Sequence, residues 1–515
     1  MRIRTLAALT ACLATAGTAA VTAPATGAEE AGAPARTASA DNPASTAAPA
    51  AAPAGAAADS PAVRADFDGD GYADLATGAP GGKVSGHAEA GYVLVSYGSA
   101  DGVAAPASTV VSRRTAGVPG SPAADDRFGD RIAARDLDGD GLTDLAVTAR
   151  ADEGDAAGSV TVLWGRAGGL TGAGATRAQV PGGGGLARDL HAGDFDGDGD
   201  GDLLVPSTRS DSGEAYTVLY GPFTRAGAPA RESALVEMKP EDSLDGVAVG
   251  DVTGDGADDL VAFFSFQGNA EGGWFWQGGP DGLTRSDAAL PNGGSPTIGD
   301  FDGDGRGDLA YRSIGASVED FPYDKGTVKV VYGTADGPSG TRRSTFTQDT
   351  AGVPGTGERG DQFGARLAAG DANGDGFADL AVGVPYEALG SKQSAGSVVL
   401  LKGGSGGLTA RGAKAFHQDT AGVKGVAETG DRFGAALAFG DVTDDGRAEL
   451  AVGAPEENGT GAIWSLRGAA GGLTATGSVA FSPDNFEVPG GTDAGARFGT
   501  GFVDEDRGHY LVGRE

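Results

Sequence analysis

The sequence predicts an all-β fold, a seven-bladed β-propeller, and three observations support this prediction. A nine-residue acidic pattern recurs seven times, a short apolar run follows each copy, and no long amphipathic helix pattern occurs after residue 62. Apolar runs of two or three residues between turn residues are too short for helices and are typical of strands. Strand-rich units repeated at this period favour blades around an axis over a helical solenoid.

The acidic pattern defines the repeat. Its copies begin at Asp66, Asp136, Asp194, Asp251, Asp300, Asp371 and Asp441, at spacings of 70, 58, 57, 49, 71 and 70 residues. A further β-branched and aromatic run follows at a regular offset, as in Val93–Tyr97, Val160–Trp164, Val328–Tyr332 and Val398–Leu401. Such residues favour strands. Each unit therefore has room for the four strands of a propeller blade.

The chemistry of the nine-residue loop predicts calcium. Positions one, three, five and nine are Asp, Asn, Thr or Glu in every copy, and position six is always Gly, as a sharp turn with positive φ requires. Position seven varies freely, which fits a backbone carbonyl ligand. Calcium takes six to eight oxygen ligands at flexible geometry. Without a cation, converging carboxylates repel one another.

We therefore expect up to seven calcium ions, one in each loop. The candidate ligands are Asp66, Asp68, Asp70, Tyr72 and Asp74; Asp136, Asp138, Asp140, Leu142 and Asp144; Asp194, Asp196, Asp198, Asp200 and Asp202; Asp251, Thr253, Asp255, Ala257 and Asp259; Asp300, Asp302, Asp304, Arg306 and Asp308; Asp371, Asn373, Asp375, Phe377 and Asp379; and Asp441, Thr443, Asp445, Arg447 and Glu449. The fourth and seventh loops carry threonine at position three, so they are expected to be the weakest sites. An EF-hand is excluded, because no copy has the Glu at position twelve that this motif needs.

Charge excludes two classes of partner. The chain has 71 acidic and 38 basic residues and a formal net charge of -33. A nucleic-acid binder needs a basic footprint, and an anionic membrane surface repels such a chain. Bound divalent cations are the simplest compensation for this excess of acid.

The N-terminus indicates export. Residues 1–27 have the basic start, apolar stretch and small residues of a secretory signal peptide. Residues 28–62 are almost entirely Ala, Pro, Thr, Ser and Gly, so they are expected to form a disordered linker before the propeller at 63–515. Cys12 follows a lipoprotein-like box, which leaves a lipid anchor as the alternative to a soluble secreted protein.

A longer signature precedes some loops. It reads Thr115–Gly120, Asp126, Phe128-Gly129 before Asp136, and it recurs before Asp371 and Asp441. This signature resembles the FG-GAP repeat, the blade unit of the integrin α-chain N-terminal propeller, in a bacterial secreted form. The resemblance implies seven blades, calcium in hairpin loops on one face and ligand contacts usually on the other. Units three to five lack the Phe-Gly pair.

The C-terminus predicts how the ring closes. Phe498-Gly499 begins an eighth unit that has no acidic loop. The simplest expectation is that this segment completes the ring with the first unit. An eight-bladed ring is the alternative.

These observations predict a secreted, calcium-binding, non-catalytic propeller that acts as a protein- or glycan-binding adhesion scaffold. We expect a monomer whose partner is an extracellular protein or glycan, with neither a nucleic-acid partner nor a transmembrane segment. The alternatives are a propeller associated with an extracellular hydrolase and a lipid-anchored structural protein of the cell surface.

Overall fold

Seven four-stranded antiparallel sheets account for all the strands of the computed structural model, which confirms the predicted all-β seven-bladed propeller. The structure describes residues 65–150, 158–180, 189–209, 213–235, 243–266, 269–287, 289–317, 323–488 and 495–503. Within these ranges, helical structure is limited to short 3-10 turns such as Glu457–Gly459 and Pro483–Asn485. The predicted signal peptide, the linker and Cys12 lie outside the described residues.

Each sheet is one blade. The strands of each blade are given below in their spatial order, from the first (innermost) strand to the fourth. Blade 1 contains β28 (Gly501–Phe502), β1 (Leu75–Ala79), β2 (Tyr92–Ser96) and β3 (Ser108–Val111); blade 2 contains β4 (Ile132–Arg135), β5 (Asp144–Ala149), β6 (Ser159–Leu163) and β7 (Thr176–Arg177); blade 3 contains β8 (His191–Gly193), β9 (Asp202–Arg209), β10 (Gly213–Tyr220) and β11 (Arg231–Leu235). Blade 4 contains β12 (Ser243–Gly250), β13 (Asp259–Phe266), β14 (Asn269–Gln277) and β15 (Thr284–Arg285); blade 5 contains β16 (Gly293–Gly299), β17 (Asp308–Ser313), β18 (Val328–Val331) and β19 (Arg343–Phe346). Blade 6 contains β20 (Arg366–Gly370), β21 (Asp379–Val384), β22 (Ser397–Lys402) and β23 (Thr409–Phe416); blade 7 contains β24 (Ala436–Gly440), β25 (Glu449–Ala454), β26 (Ala462–Arg467) and β27 (Thr474–Phe481).

The acidic loop connects the first and second strands of blades 2 to 7. In blade 6, for example, Gly370 pairs with Asp379, so the residue before the loop lies opposite its ninth position. Blades 3 and 7 show the same register, with Gly193 opposite Asp202 and Gly440 opposite Glu449. All the loops therefore lie at one end of the strands, and the connections between second and third strands lie at the other.

The hydrophobic core lies between blades. Seven clusters of buried apolar side chains are present in the described part of the chain, one at each junction between neighbouring blades. At the junction of blades 2 and 3, Val162 of β6 packs with Leu203 and Val205 of β9. Both faces of the central strands are buried in this arrangement, which explains why their sequences read as short continuous apolar runs.

The C-terminal segment closes the ring as expected. β28 pairs antiparallel with β1, with Phe502 opposite Thr77, and the Thr77 hydroxyl donates to the Gly501 carbonyl at 3.0 Å. Phe498 is buried in the cluster between blades 7 and 1. The described strands thus give seven blades rather than eight. Residues 504–515 lie outside the described ranges.

No helix among the described residues is long and apolar enough to cross a lipid bilayer.

Candidate metal centres in the acidic loops

The first carboxylate of each loop organises the turn. In loop 5, Asp300 accepts backbone N–H groups from Gly303, Asp304 and Gly305 at 2.7, 3.1 and 2.9 Å. The first residue of every other loop accepts two or three such bonds from positions four to six. The chain is thereby wrapped around one carboxylate, and the loop geometry follows from local sequence.

Two positions of the loop need a left-handed backbone. The predicted one, position six, has φ between 79° and 94° in all seven copies. Position four also has positive φ in every loop, which sequence reasoning missed, and Asp444 occupies it in loop 7 at φ 51°. Aspartate tolerates this conformation better than most residues with side chains.

The carboxylate of position five accepts a hydrogen bond from the backbone N–H of position seven. The Asp70 carboxylate accepts the Tyr72 N–H at 3.0 Å, and the other six loops repeat this bond at 3.0–3.2 Å. The contact uses only the backbone of position seven. It explains how Tyr, Leu, Asp, Ala, Arg and Phe can all occupy this position.

The ninth position is a buried acid that joins the loop to the third strand. One oxygen of Asp308 accepts the Gly333 N–H at 2.9 Å, and the other accepts the Phe301 N–H at 3.0 Å. The corresponding glycine bond is present in all seven blades, at 2.7–3.4 Å. Removal from water disfavours the ionised form. Burial therefore raises the pKa of Asp202 and Asp308 to about 8. It raises the pKa of Asp74, Asp144, Asp259, Asp379 and Glu449 to about 7.

Four loops bring three carboxylates together. In each group the candidate ligand atoms lie within 4.8 Å of one another. The groups are Asp66, Asp68 and Asp70; Asp136, Asp138 and Asp144; Asp194, Asp196 and Asp202; and Asp300, Asp302 and Asp304. Three acids this close repel one another unless a cation or protons compensate them. Loops 4, 6 and 7 carry Thr253, Asn373 or Thr443 at position three, and no such group is found there among the residues with described coordinates.

Position three supplies oxygens without hydrogen-bond partners. The Oδ1 atoms of Asp138, Asp196 and Asp302 and the Oγ1 atom of Thr253 are buried and have no hydrogen-bond partner. The three aspartate side chains are only 7, 8 and 4% exposed. Buried polar atoms are nearly always paired, so four orphaned oxygens at equivalent positions indicate a missing partner that accepts oxygen ligands. The donor set is all-oxygen and fits a hard cation such as calcium.

Neighbouring loops are joined in a ring of hydrogen bonds. The N–H of position eight donates to the carbonyl of position one in the preceding loop, as from Thr143 to Asp66 at 3.1 Å. All seven junctions have this bond, at 2.7–3.4 Å, including the closing one from Ala73 to Asp441. Because positions eight and nine are adjacent, the ligands of one loop are mechanically tied to those of the next.

A glycine after the third strand is also part of each centre, although it lies outside the nine-residue acidic pattern. A Cβ on Gly98 would lie 2.3 Å from the Ala73 carbonyl oxygen, and one on Gly403 would lie 2.2 Å from that of Ala378. Only glycine lets its N–H reach the ninth carboxylate. The signal in the sequence is a glycine at the end of the third strand in all seven units.

The opposite end of the blades carries the Phe-Gly pairs. Phe128, Phe363, Phe433 and Phe498 are fully buried in the clusters between blades. The Asp361 carboxylate, two residues before Phe363, is also buried and accepts the Glu358 N–H at 2.5 Å. Asp361 thus caps a turn.

The fold and these loops define a class, the seven-bladed β-propeller with an acidic nine-residue loop in every blade. Residues 57–96, 363–401 and 433–466 match the FG-GAP repeat, and residues 136–205 match the FG-GAP-like repeat. The chain therefore contains FG-GAP repeats and is integrin-α-like in these regions, as the Phe-Gly signature predicted.

Several integrin α chains are similar over part of this chain. Integrin alpha-PS5 of Drosophila melanogaster is 34% identical over 115 residues, which are 22% of this chain and 10% of that protein. Integrin alpha-3 of Mus musculus is 30% identical over 158 residues, 30% of this chain and 14% of that protein. Integrin alpha pat-2 of Caenorhabditis briggsae is 33% identical over 176 residues, 32% of this chain and 13% of that protein. The matches thus span a small part of each relative.

Among solved structures, AofleA from Arthrobotrys oligospora aligns with a TM-score of 0.36 at 11% identity, over 68% of this chain and 88% of that chain. This likeness is too distant to carry an argument about function.

Proposed function

We propose that the protein is an exported, calcium-loaded propeller that serves as a non-catalytic binding and adhesion scaffold. The observation that carries the calcium assignment is the set of orphaned, buried position-three oxygens of Asp138, Asp196, Thr253 and Asp302. In each loop, a calcium ion would be coordinated by the position-three oxygen, by the carboxylates of positions one, five and nine, and by the backbone carbonyl of position seven.

Calcium would also act on the ring as a whole. The first carboxylate of a loop is held by its own turn, and the backbone carbonyl of the same residue binds the next blade. A cation that neutralises one cluster therefore stabilises the junction with the neighbouring blade. Binding to the native state alone stabilises a fold by about 2.7 kcal/mol per site at a free ligand concentration of 100 times Kd.

The proposed partner is an extracellular protein or glycan, and the protein is proposed to be monomeric. Similarity to integrin α chains supports a binding scaffold in general terms. The surface charge supports a partner that is not a polyanion, because the chain carries a formal net charge of -33. The predicted signal peptide supports export.

Metal analysis of the exported full chain tests the calcium assignment. After dialysis against calcium, elemental analysis is expected to find several ions per chain, up to seven, and dialysis against excess magnesium should leave them in place. A chain that retains no calcium would contradict the proposal.

Secretion is tested separately, by sequencing the mature N-terminus. Cleavage near residue 27 supports a soluble secreted protein, whereas a lipid-modified Cys12 would support the lipid-anchored form instead.

A further inference from the structure

In three acidic loops, an arginine from outside the loop contacts the carboxylate at position three. Arg231 Nη2 lies 2.6 Å from Asp196 Oδ2 in loop 3, and Arg342 pairs with Asp302 Oδ2 in loop 5. In loop 2, Arg225 pairs with Asp138 Oδ2 and reaches Asp140 at 2.6 Å. Arg225 comes from the turn between β10 and β11, so this cation is supplied by the neighbouring blade.

Each of these arginines lies over an aromatic ring at the end of a third strand. The guanidinium carbon is 3.3 Å from the ring centroid of Tyr220 for Arg231, 3.9 Å from that of Tyr332 for Arg342 and 4.7 Å from that of Trp164 for Arg225. Guanidinium groups stack favourably on aromatic faces. The three side chains are therefore positioned by the blade as well as by the carboxylate.

The position-three carboxylate is shared between two cations in this arrangement. The arginine occupies Oδ2, while Oδ1 is buried and has no hydrogen-bond partner. A calcium ion at Oδ1 would lie one carboxylate away from a fixed positive charge. Like charges at this separation repel, most strongly where water is excluded.

Blade 1 provides the natural comparison. The Tyr332 N–H donates to the Arg342 carbonyl, and at the equivalent place the Tyr97 N–H donates to the Ala107 carbonyl. Alanine thus replaces the arginine. No basic side chain among the residues with described placement forms an ion pair with Asp68 of loop 1.

We propose that Arg225, Arg231 and Arg342 are built-in cations that set two classes of calcium affinity around the ring. They weaken calcium binding in loops 2, 3 and 5 and hold these loops folded when calcium is scarce, whereas loop 1 binds more tightly and depends on calcium. This inference rests on the proposed function, because it requires that the loops bind calcium.

The test compares the full chain with the double variant Arg231→Gln/Arg342→Gln by equilibrium dialysis. Free calcium is buffered at a level at which the wild type fills only part of its loops. The double variant is expected to bind two additional ions there, with Kd lowered about tenfold per loop. Lys392→Gln/Lys325→Gln is the matched control. It removes the same charge from exposed ion pairs with Asp419 and Asp349 and should leave the count unchanged.

The reverse substitution sharpens the test. Ala107→Arg is expected to remove one ion from the tight class, because it places a guanidinium beside Tyr97 where blade 5 has Arg342. Thermal unfolding in EGTA supplies a readout without metal: the double arginine variant should melt at a lower temperature than the lysine control.

The dialysis results distinguish the arginine proposal from the proposal that the loops bind calcium. If the wild type binds calcium but the arginine variants bind the same amount or less, the arginines position the carboxylates instead of competing, and this inference falls alone. If the wild type binds no calcium under any condition, the proposed function falls with it. Circular dichroism in calcium confirms that each variant retains the β-sheet fold.

Discussion

The two ends of the blades differ in composition: one is packed with buried aromatic side chains and the other carries clustered carboxylates. At the Phe-Gly end, buried phenylalanines such as Phe433 fill the junctions, and acids such as Asp361 cap a turn. At the loop end, three carboxylates lie within 4.8 Å of one another in each of four blades. The Phe-Gly end is packed with aromatic side chains, whereas the loop end presents the oxygen atoms that the proposed calcium ions would bind. Substitutions at the two ends should therefore respond differently to calcium.

The largest effect of a substitution is expected at the Phe-Gly end. Phe433 is fully buried and packs edge-on against Trp464 with ring centroids 5.2 Å apart. Phe433→Ala should lower the free energy of unfolding by about 3–5 kcal/mol, because it leaves a cavity between blades 6 and 7. The loss should be the same in calcium and in EGTA, as measured by chemical denaturation.

The control for this substitution is Val426→Ala, at a side chain that is 64% exposed. It should change stability little. A loss at Phe433 that appears only when calcium is removed would show that the two ends are not independent.

A second effect concerns the glycine that joins the third strand to the loop. Gly403→Ala places a Cβ 2.2 Å from the Ala378 carbonyl oxygen, so the strand must shift away from the ninth carboxylate. We expect a loss of about 1–3 kcal/mol, as for overpacked sites. The adjacent Gly404→Ala is the control, since nothing lies within 4 Å of its Cβ. Equal losses in both variants would contradict the role assigned to Gly403.

A smaller effect, dependent on calcium, is expected in loop 1. Asp68→Asn removes one charge while retaining the oxygen that accepts the Asp70 N–H at 3.2 Å. In saturating calcium the variant should lose about 1.4 kcal/mol for each tenfold weakening of that site. In EGTA its stability should be unchanged or higher, because a repulsion is relieved. Thermal melts in both conditions measure the difference, and a larger loss in EGTA than in calcium would be inconsistent with a ligand role.

The smallest effect is a pH dependence at the Phe-Gly end. Burial, with Asp431 nearby, raises the pKa of Glu457 to about 7. The native state therefore holds a proton that the unfolded chain releases, so the free energy of unfolding falls as pH rises from about 5 to about 8. Glu457→Gln should make this slope shallower in denaturation carried out in calcium. The exposed Glu232→Gln should leave the slope as it is, and an unchanged slope in the Glu457 variant would refute the assignment.

Much of the loop could be predicted from sequence because its geometry is local. The nine positions, the glycine at position six and the free variation at position seven all follow from contacts within a few residues. Closure was also predictable, since Phe498-Gly499 repeats a signature whose partner, the first unit, has no inner strand of its own.

Other parts of the centres depend on distant contacts. The glycine bond to the ninth carboxylate joins residues 19 to 25 apart in sequence, as Gly221 to Asp202 and Gly333 to Asp308. Arg225 reaches loop 2 from another blade, 87 residues after Asp138. The spacing of the acidic pattern holds no information on these contacts. The glycine bond forms when the strands of one blade pair, and the Arg225 contact forms when blades 2 and 3 pack side by side.

We propose above that calcium binds the carboxylates at the loop end of the blades. Thermal unfolding of the full chain, in excess calcium and then in excess EGTA, with metal counting on the same samples, tests it most directly. We expect several bound ions and a melting temperature that falls by many degrees when they are removed. Identical melting curves with no bound metal would contradict it and would leave the acidic loops as turns stabilised only by their own hydrogen bonds.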